Sequence, residues 1–276
     1  MTLNDSSKNN LGDYYESEYF EHFRFFQTEA DMITNLNEQL PKSIKKIFSQ
    51  KKEKIQKKIA SKKETKEQID AFFEKVRAFL ETDPQPHRME FRIDDEAEEL
   101  LFDFLKAISY ENSFNNFIRN MSLAYLVTEL ESYLKGVLKT SFEKKPMLLA
   151  TCKKSINYEE LTKYSSIEDV REDIIEKEIY AILYRDIEEI SRYFEQKFNI
   201  KLSELTDWET FKEVFYRRNI IVHNSGIVNN IYRLKTGYKA KKKSLEVSYS
   251  YLNKSIQVFD EFAQNLAEQL YQKFGK

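Results

Sequence analysis

Glycine and proline are scarce in this sequence, which contains 5 glycines and 4 prolines in 276 residues. Average usage is about 7% for glycine and about 5% for proline, and strands joined by tight turns need more of both residues. Segments with apolar residues at helical spacing predominate instead. The composition therefore predicts an all-α protein.

Cysteine and long apolar runs are nearly absent as well. The single cysteine, Cys152, cannot form a disulfide within the chain, and the sequence opens on the polar run MTLNDSSKNN instead of a secretory signal. No apolar run approaches the roughly 18–20 residues that a membrane-spanning helix needs. We therefore expect a cytoplasmic protein in a reducing setting, without a membrane partner.

An excess of charge of one sign is also lacking, because 44 Lys and Arg oppose 46 Asp and Glu, for a formal net charge of −2. Any contact with nucleic acid must therefore be local. The motifs GxxxxGK[ST], GxGxxG, HExxH and CxxC do not occur. The nucleotide-loop, dinucleotide and zinc classes thus lack their ligands, and we expect neither a cofactor nor a metal.

Residues 1–110 form an N-terminal helical region whose role the sequence does not reveal. It begins with a crowded aromatic stretch, YYESEYFEHFRFF, in which four aromatics share one helical face that must pack on something: Tyr15, Tyr19, Phe23 and Phe26. Pro41 interrupts the next pattern. Residues 43–81 then predict a long charged helix, whose apolar stripe is weakest between Ile59 and Ile69.

Residues 111–276 form a second helical domain with denser apolar residues, preceded by a short helix at about 94–107. The segment 115–142 is apolar almost all the way round, which predicts a central buried helix. Three further helices are predicted at 167–197, at 208–223 with Asp207 as N-cap, and at 249–274. Four such helices predict a bundle.

Arg218 lies in the middle of an apolar stripe on the 208–223 helix. At about 100° per residue, the stripe comprises Phe211, Val214, Phe215, Ile221 and Val222. A guanidinium on a core face is costly to desolvate unless a carboxylate, a phosphate or water meets it. Glu131, on the corresponding face of the 115–142 helix, is the expected counter-ion. The pair either serves a site or merely fixes the helix register.

A polar and aromatic strip runs beside the apolar one, formed by Lys212, Tyr216, Asn219 and His223. His223 is one of three histidines in the chain and stands at the predicted helix end, three residues before Gly226. A lone helical histidine is often only a packed or surface residue. In combination with the neighbouring Arg218 and Asn219, however, His223 suits phosphate chemistry.

The stretch RRNIIVHNSGIVNNIY, from Arg217 to Tyr232, resembles the signature of HEPN domains: an Arg, a polar residue and, after a short spacer, a His, here Arg218, Asn219 and His223. The order of helices over residues 111–276 is similar as well, whereas the resemblance does not extend to residues 1–110. The resemblance implies a HEPN-like four-helix bundle and metal-independent RNA cleavage, in which a 2′-hydroxyl attacks the adjacent phosphate. His223 would be the general acid and base, since histidine ordinarily titrates at about 6.5. Arg218 would stabilise the phosphate, and Asn219 would orient it or the His.

Five residues of straight helix rotate Arg218 and His223 about 140° apart. Either the helix loosens near NSG, or two subunits share the site. Because HEPN domains commonly pair with their motifs facing a cleft, the resemblance implies a twofold homodimer. The basic residues that follow the motif would flank this cleft and bind the RNA backbone, or would form only a solvated loop: Arg233, Lys235, Lys239, Lys241, Lys242 and Lys243.

The chain departs from one HEPN subgroup, in which a Tyr follows the His after one residue, because this position holds Ser225. Regulation through modification of such a Tyr is therefore not expected. By analogy the preferred hypothesis is a toxin or phage-defence (abortive-infection) endoribonuclease, whose N-terminal region senses, oligomerises or meets an inhibitor or antitoxin. Two alternatives remain: a non-catalytic HEPN module that binds RNA or a protein partner, and a purely structural helical scaffold.

Overall fold

The computed structural model describes residues 12–81, 89–151, 156–241 and 243–275, and it is 82% helical. No strand occurs among these residues, whose one isolated bridge joins Ile227 to Ser244. The predicted all-α class is thereby confirmed. None of the described helices combines the length and the apolarity that crossing a membrane requires.

The first three long helices are α1 (Glu18–Ala60), α2 (Lys63–Glu81) and α3 (Asp95–Lys144). After a 3₁₀ turn, Pro146–Thr151, come α4 (Tyr158–Leu161), α5 (Ile167–Leu183) and α6 (Ile187–Phe198). A second 3₁₀ turn, Leu202–Glu204, precedes α7 (Trp208–Asn224), α8 (Asn230–Thr236) and α9 (Tyr249–Phe274). The helices predicted at 208–223 and 249–274 are thus confirmed.

Three predicted helix boundaries are wrong. The long charged helix does not run over 43–81, because α1 continues through Pro41 and ends at Ala60, next to the place where the apolar stripe lapses. The segments 94–107 and 115–142 form one continuous helix, α3. The predicted helix 167–197 is two helices, since Asp186 caps the N-terminus of α6 by accepting a hydrogen bond from the Glu188 N–H.

The chain divides into two compact units, and the division does not follow a single cut near residue 110. Unit 1 comprises the described residues of Met1–Asn35 and Arg119–Lys276, and unit 2 is Leu36–Ile118. The aromatic face at the start of α1 explains the difference, because Tyr19, Phe23 and Phe26 are buried in the core of unit 1. Tyr15, predicted on the same face, is exposed.

The core of unit 1 collects apolar side chains from seven of the described helices, α1, α3 and α5 to α9. The C-terminal half of α3 lies at its centre, as its all-round apolar pattern predicts. Fully buried members from the different helices include Tyr19, Leu126, Leu130, Ile182, Phe194, Phe211, Phe259 and Phe262. Because both α3 and α7 face this core, a polar side chain on either inner face needs a partner.

Unit 2 has a much smaller core. Ile69 of α2 and two residues of α3, Ala97 and Leu101, are buried together, with Ile59 of α1 packed against them. Asp94 caps α3 by accepting a hydrogen bond from the Ala97 N–H at 2.8 Å, and Gln68 of α2 contacts the same aspartate. Lys52 and Glu111 form an ion pair at 2.5 Å. Local caps and ion pairs thus supplement a thin apolar contact in this unit.

Within unit 1, α1 and α3 approach closely at Gly136. A β-carbon added there would lie 2.6 Å from Nδ1 of His22. The His22 ring is held by a hydrogen bond of 3.1 Å between Nε2 and the Thr140 hydroxyl, and burial lowers the pKa of His22. The imidazole therefore fills the space that a larger residue on α3 would need.

We expect Gly136→Ala to destabilise the protein by about 1–3 kcal/mol, the usual cost of overpacking. In an unhindered helix the same change would stabilise by about 1 kcal/mol, because alanine is the better helix former. Urea unfolding of the single variant and of Gly136→Ala combined with His22→Ala separates the two effects. The double variant should be more stable than His22→Ala alone, and a stable Gly136→Ala single variant would contradict the close contact.

Candidate functional site

Helix α7 carries the predicted motif and has well-defined ends. Asp207 caps its N-terminus, accepting hydrogen bonds from the Thr210 N–H at 3.2 Å and the Thr210 hydroxyl at 2.6 Å, as predicted. At the other end Ser225 and Gly226 both have positive φ, and the Gly226 N–H donates to the Ile220 carbonyl at 2.9 Å. The helix stays regular through Asn224, so it does not loosen before His223.

The predicted apolar stripe of α7 is buried over most of its length. Phe211, Val214 and Phe215 are buried and Ile221 packs against the core, but Val222 is 53% exposed, so its predicted burial is wrong. The angular position of Val222 suits the stripe. The last turn of α7 is, however, largely solvent-exposed.

The predicted ion pair between Arg218 and Glu131 is present and joins α7 to α3 through a hydrogen bond from a terminal guanidinium nitrogen to the carboxylate. The Arg218 side chain is 20% exposed and the Glu131 side chain 39%. The Nε atom of Arg218 is buried and has no hydrogen-bond partner. This nitrogen is closed to solvent, so an anion in the cavity would have to be met by the terminal nitrogens of the guanidinium.

Arg218 lines a cavity of about 610 Å³ in unit 1. Its walls come from α3, the α5–α6 junction and α7, and they include Glu131, Tyr184, Arg185, Asp186 and Asn219. His223 is exposed and is not among the described residues that line this cavity. The structure therefore brings Arg218, Asn219 and Glu131 together and leaves His223 on the open end of the helix.

The polar strip of α7 separates into two halves. Tyr216 is buried and donates from its hydroxyl to the Asp186 carboxylate at 3.1 Å; burial and Asp186 raise its pKa to about 12. Lys212 pairs with Glu209 at 2.9 Å and lies 3.8 Å from Glu188. Both side chains thus have carboxylate partners within the fold, whereas Asn219 and His223 are exposed.

The candidate RNA-binding residues also divide. Lys235 pairs with Glu188 at 3.0 Å and Asp186 at 3.5 Å, and the hydrogen bond to Glu188 raises its pKa. Arg233 donates to the carbonyls of Tyr238 and Ala240, at 3.2 and 3.0 Å, so it fixes the loop after α8.

The lysines of the loop after α8 are differently placed. Lys239, Lys241 and Lys243 are exposed, while Lys242 lies outside the described residues. These three described lysines are therefore better placed than Arg233 and Lys235 to meet a phosphate backbone.

A second cluster of hydrogen-bonded side chains, centred on Glu213, was not predicted from the sequence. Its carboxylate accepts hydrogen bonds from Arg217 Nε at 2.8 Å and from the hydroxyls of Tyr232 and Tyr251, so it links α7 to α8 and α9. The Arg217 guanidinium also lies 3.8 Å from the centre of the Tyr251 ring. The only sequence signal for this cluster was the i, i+4 spacing of Glu213 and Arg217, which predicts an ion pair on a helix.

The cavity wall formed by Tyr184, Arg185 and Asp186 was missed as well, because a single helix was predicted over 167–197. The capping preference of Asp186, with Glu188 and Glu189 in the turn that follows, was the available signal. Among the described residues, no group of three or more His, Cys, Asp or Glu side chains is placed to hold a metal ion.

Comparison with known proteins gives no relative on which to base an assignment, since no family model, no curated protein and no solved structure matches the chain.

We expect Glu131→Gln to destabilise the protein by roughly 1–3 kcal/mol, because it leaves the Arg218 guanidinium on the core side of α7 without its charged partner. Urea unfolding measures the effect. Replacing both residues with apolar side chains, Glu131→Leu with Arg218→Met, should recover most of the loss, because no unpaired charge then remains. Equal stability of Glu131→Gln and wild type would show that the pair contributes little to folding.

Proposed function

We propose that the chain is a metal-independent endoribonuclease of the HEPN type. The observation that carries the proposal is the position of Arg218: it is fixed by Glu131 and lines a cavity. A fork-shaped guanidinium in this situation suits the binding of a phosphate. Asn219, exposed on the same cavity wall, would orient the bound group.

The proposed reaction cleaves the RNA backbone by attack of a ribose 2′-hydroxyl on the adjacent phosphorus. His223 accepts the hydroxyl proton as the new P–O bond forms, and it donates a proton to the 5′-oxygen as the old P–O bond breaks. Arg218 stabilises the negative charge that develops on the phosphate oxygens. The products are a 2′,3′-cyclic phosphate and a 5′-hydroxyl.

The regularity of α7 favours a site shared between two copies of the chain. Because the helix is continuous from Arg218 to His223, the two side chains leave its axis about 140° apart. In a twofold dimer, Arg218 of one subunit and His223 of the other can face the same phosphate. This homodimer is part of the proposal.

Exposed apolar side chains flank His223 closely in the sequence and support a contact at this end of α7. Val222, Ile227, Ile231 and Leu234 are all more than half exposed, and the last two belong to one face of α8. Exposed apolar groups close together in the chain are typical of a surface that a partner covers. A second copy of the chain, docked here, would lie next to His223.

The proposal also includes the fold around the site, the contacts to the RNA backbone and the biological setting. The C-terminal half of α3, the α5–α6 pair, α7 and α9 would be the HEPN-like four-helix bundle. Exposed Lys239, Lys241 and Lys243 would hold the RNA backbone. By analogy alone, the enzyme would act as a toxin or phage-defence effector, with the N-terminal region as a sensor or as the target of an inhibitor.

A non-catalytic HEPN module that binds RNA or a protein is the second candidate. The observation that favours it is that Arg218 and His223 do not line one cavity within a single chain. In that case Arg218 would bind a phosphate without any proton transfer.

Cleavage of RNA by the purified protein, in the presence of EDTA, tests the first candidate. We expect His223→Ala to lower the single-turnover rate by roughly 100-fold or more, because the proton transfers lose their catalyst. His87→Ala, which removes a histidine outside the motif, is the matched control and should cleave as wild type does. RNA retained by the protein but cut by no variant would select the binding module instead.

Mixing two inactive variants tests the shared site. If Arg218 and His223 act across the dimer, equal amounts of Arg218→Ala and His223→Ala subunits should regain about one quarter of wild-type activity, since half of the dimers are mixed and each has one complete site. Leu234→Glu, which charges the exposed face of α8, should lower both dimer content and activity. If the mixture is no more active than the single variants, a site built from two subunits is ruled out.

A further inference from the structure

Two tyrosines at the end of α5 are exposed, and their rings contact each other in a tilted arrangement. Tyr180 is 62% exposed and Tyr184 is 75% exposed, and their ring centroids lie 4.2 Å apart with an interplanar angle of 35°. Large aromatic side chains ordinarily bury much of their surface, so a tilted pair in solvent leaves much apolar ring surface uncovered. The outer ring faces offer a place for another flat group.

This tyrosine pair adjoins the Arg218 cavity. A second cavity of about 470 Å³ is lined by Tyr180, Tyr184, Leu183 and Lys135, among others. Lys135, Leu183 and Tyr184 also line the cavity that holds Arg218. Tyr184 thus belongs to both cavities, with a stacking surface on one side and the guanidinium wall on the other.

The charges around the two cavities suit a ligand that is both flat and anionic. Besides Arg218, the walls carry Lys135 and exposed Arg185. The acidic groups have partners within the fold, since Glu131 binds Arg218, Asp186 binds Tyr216 and Lys235, and Glu176 pairs with Lys135 at 3.0 Å. In the Arg218 cavity three cationic side chains, Lys135, Arg185 and Arg218, thus stand against two carboxylates, Glu131 and Asp186, so its lining carries one excess positive charge.

We propose that Tyr184 is a base-stacking residue for single-stranded RNA: an unpaired base stacks on its ring while a neighbouring phosphate binds Arg218. This inference rests on the proposed function and adds to it a residue that positions an RNA base. Aromatic rings beside a cationic groove bind single strands because unpaired bases expose their faces, whereas the bases of a duplex are already stacked on one another.

Stacking on Tyr184 would also select the nucleotide that reaches the reacting position. Tyr184 and Arg185 lie in the connection between α5 and α6, which the capping Asp186 fixes. Because Tyr184, Asn219 and Arg218 line one cavity, a base held at this connection would bring its phosphate group into the cavity that Arg218 lines. Tyr184 would then be a positioning residue, and Tyr180 would support its ring from behind.

The test measures binding in the His223→Ala background, where no RNA is cut, with a fluorescein-labelled 12-nucleotide single-stranded RNA followed by anisotropy. We expect Tyr184→Ala to weaken binding of the single strand roughly tenfold, whereas Tyr184→Phe, which keeps the ring, retains it. Tyr158→Ala is the matched control, because Tyr158 is equally exposed but lines neither cavity. Annealing the probe to its complement should reduce binding to the parent and abolish the difference between the variants.

The outcomes separate this inference from the nuclease itself. Unchanged affinity of Tyr184→Ala for the single strand, an equal loss with the duplex, or no binding of the single strand by the parent protein would each overturn the stacking role. If wild type cleaves RNA and Tyr184→Ala cleaves it equally well, the nuclease proposal stands and only the stacking role is removed. Tenfold weaker binding without any cleavage by wild type would keep the stacking role and remove the nuclease.

Discussion

The Arg218 guanidinium lies on the inner side of α7, and Glu131 of α3 is the charged group that makes this position tolerable. Desolvation of an unpaired guanidinium would cost several kcal/mol, so α3 and α7 must keep their register for the pair to form. Arg218 thereby gains a fixed orientation while its side chain stays 20% exposed and lines the cavity. A cation held in this way needs little reorganisation when an anion binds, which is the property that a phosphate site requires.

The second constraint is the regular end of α7. Since the helix continues through Asn224, His223 cannot turn toward the cavity that contains Arg218 and Asn219. The proposed chemistry therefore depends on assembly, and the exposed apolar residues near His223 indicate where a second copy would bind. The Glu213 cluster supports this end of the molecule, because it ties α7 to α8 and α9 through Arg217, Tyr232 and Tyr251.

The break between α5 and α6 has the largest consequence for the candidate site. It places Tyr184 and Arg185 on the cavity wall. It also lets Asp186 accept a hydrogen bond from Tyr216, so this member of the polar strip of α7 has a structural partner within the protein. Lys235 likewise has partners within the protein, because it forms ion pairs with Asp186 and Glu188. Under the proposed function, the side chains available to an RNA are therefore fewer than the basic residues of the motif region. They lie in two places: the cavity wall at Tyr184 and the exposed lysines after α8.

The sequence by itself determined the helical class, the two ends of α7 and the partnership of Arg218 with Glu131, because apolar periodicity, capping residues and the cost of an unpaired charge are local or pairwise effects. Tertiary structure decided the rest. The passage of α1 through Pro41, the turn after Ala60 and the break at Asp186 depend on which apolar faces meet, and a one-dimensional pattern does not contain that information. The Tyr184 wall and the exposure of Val222 follow from the same cause: a residue's angle on its helix fixes its direction, but only the neighbouring helices decide whether that direction leads into the core, a cavity or solvent.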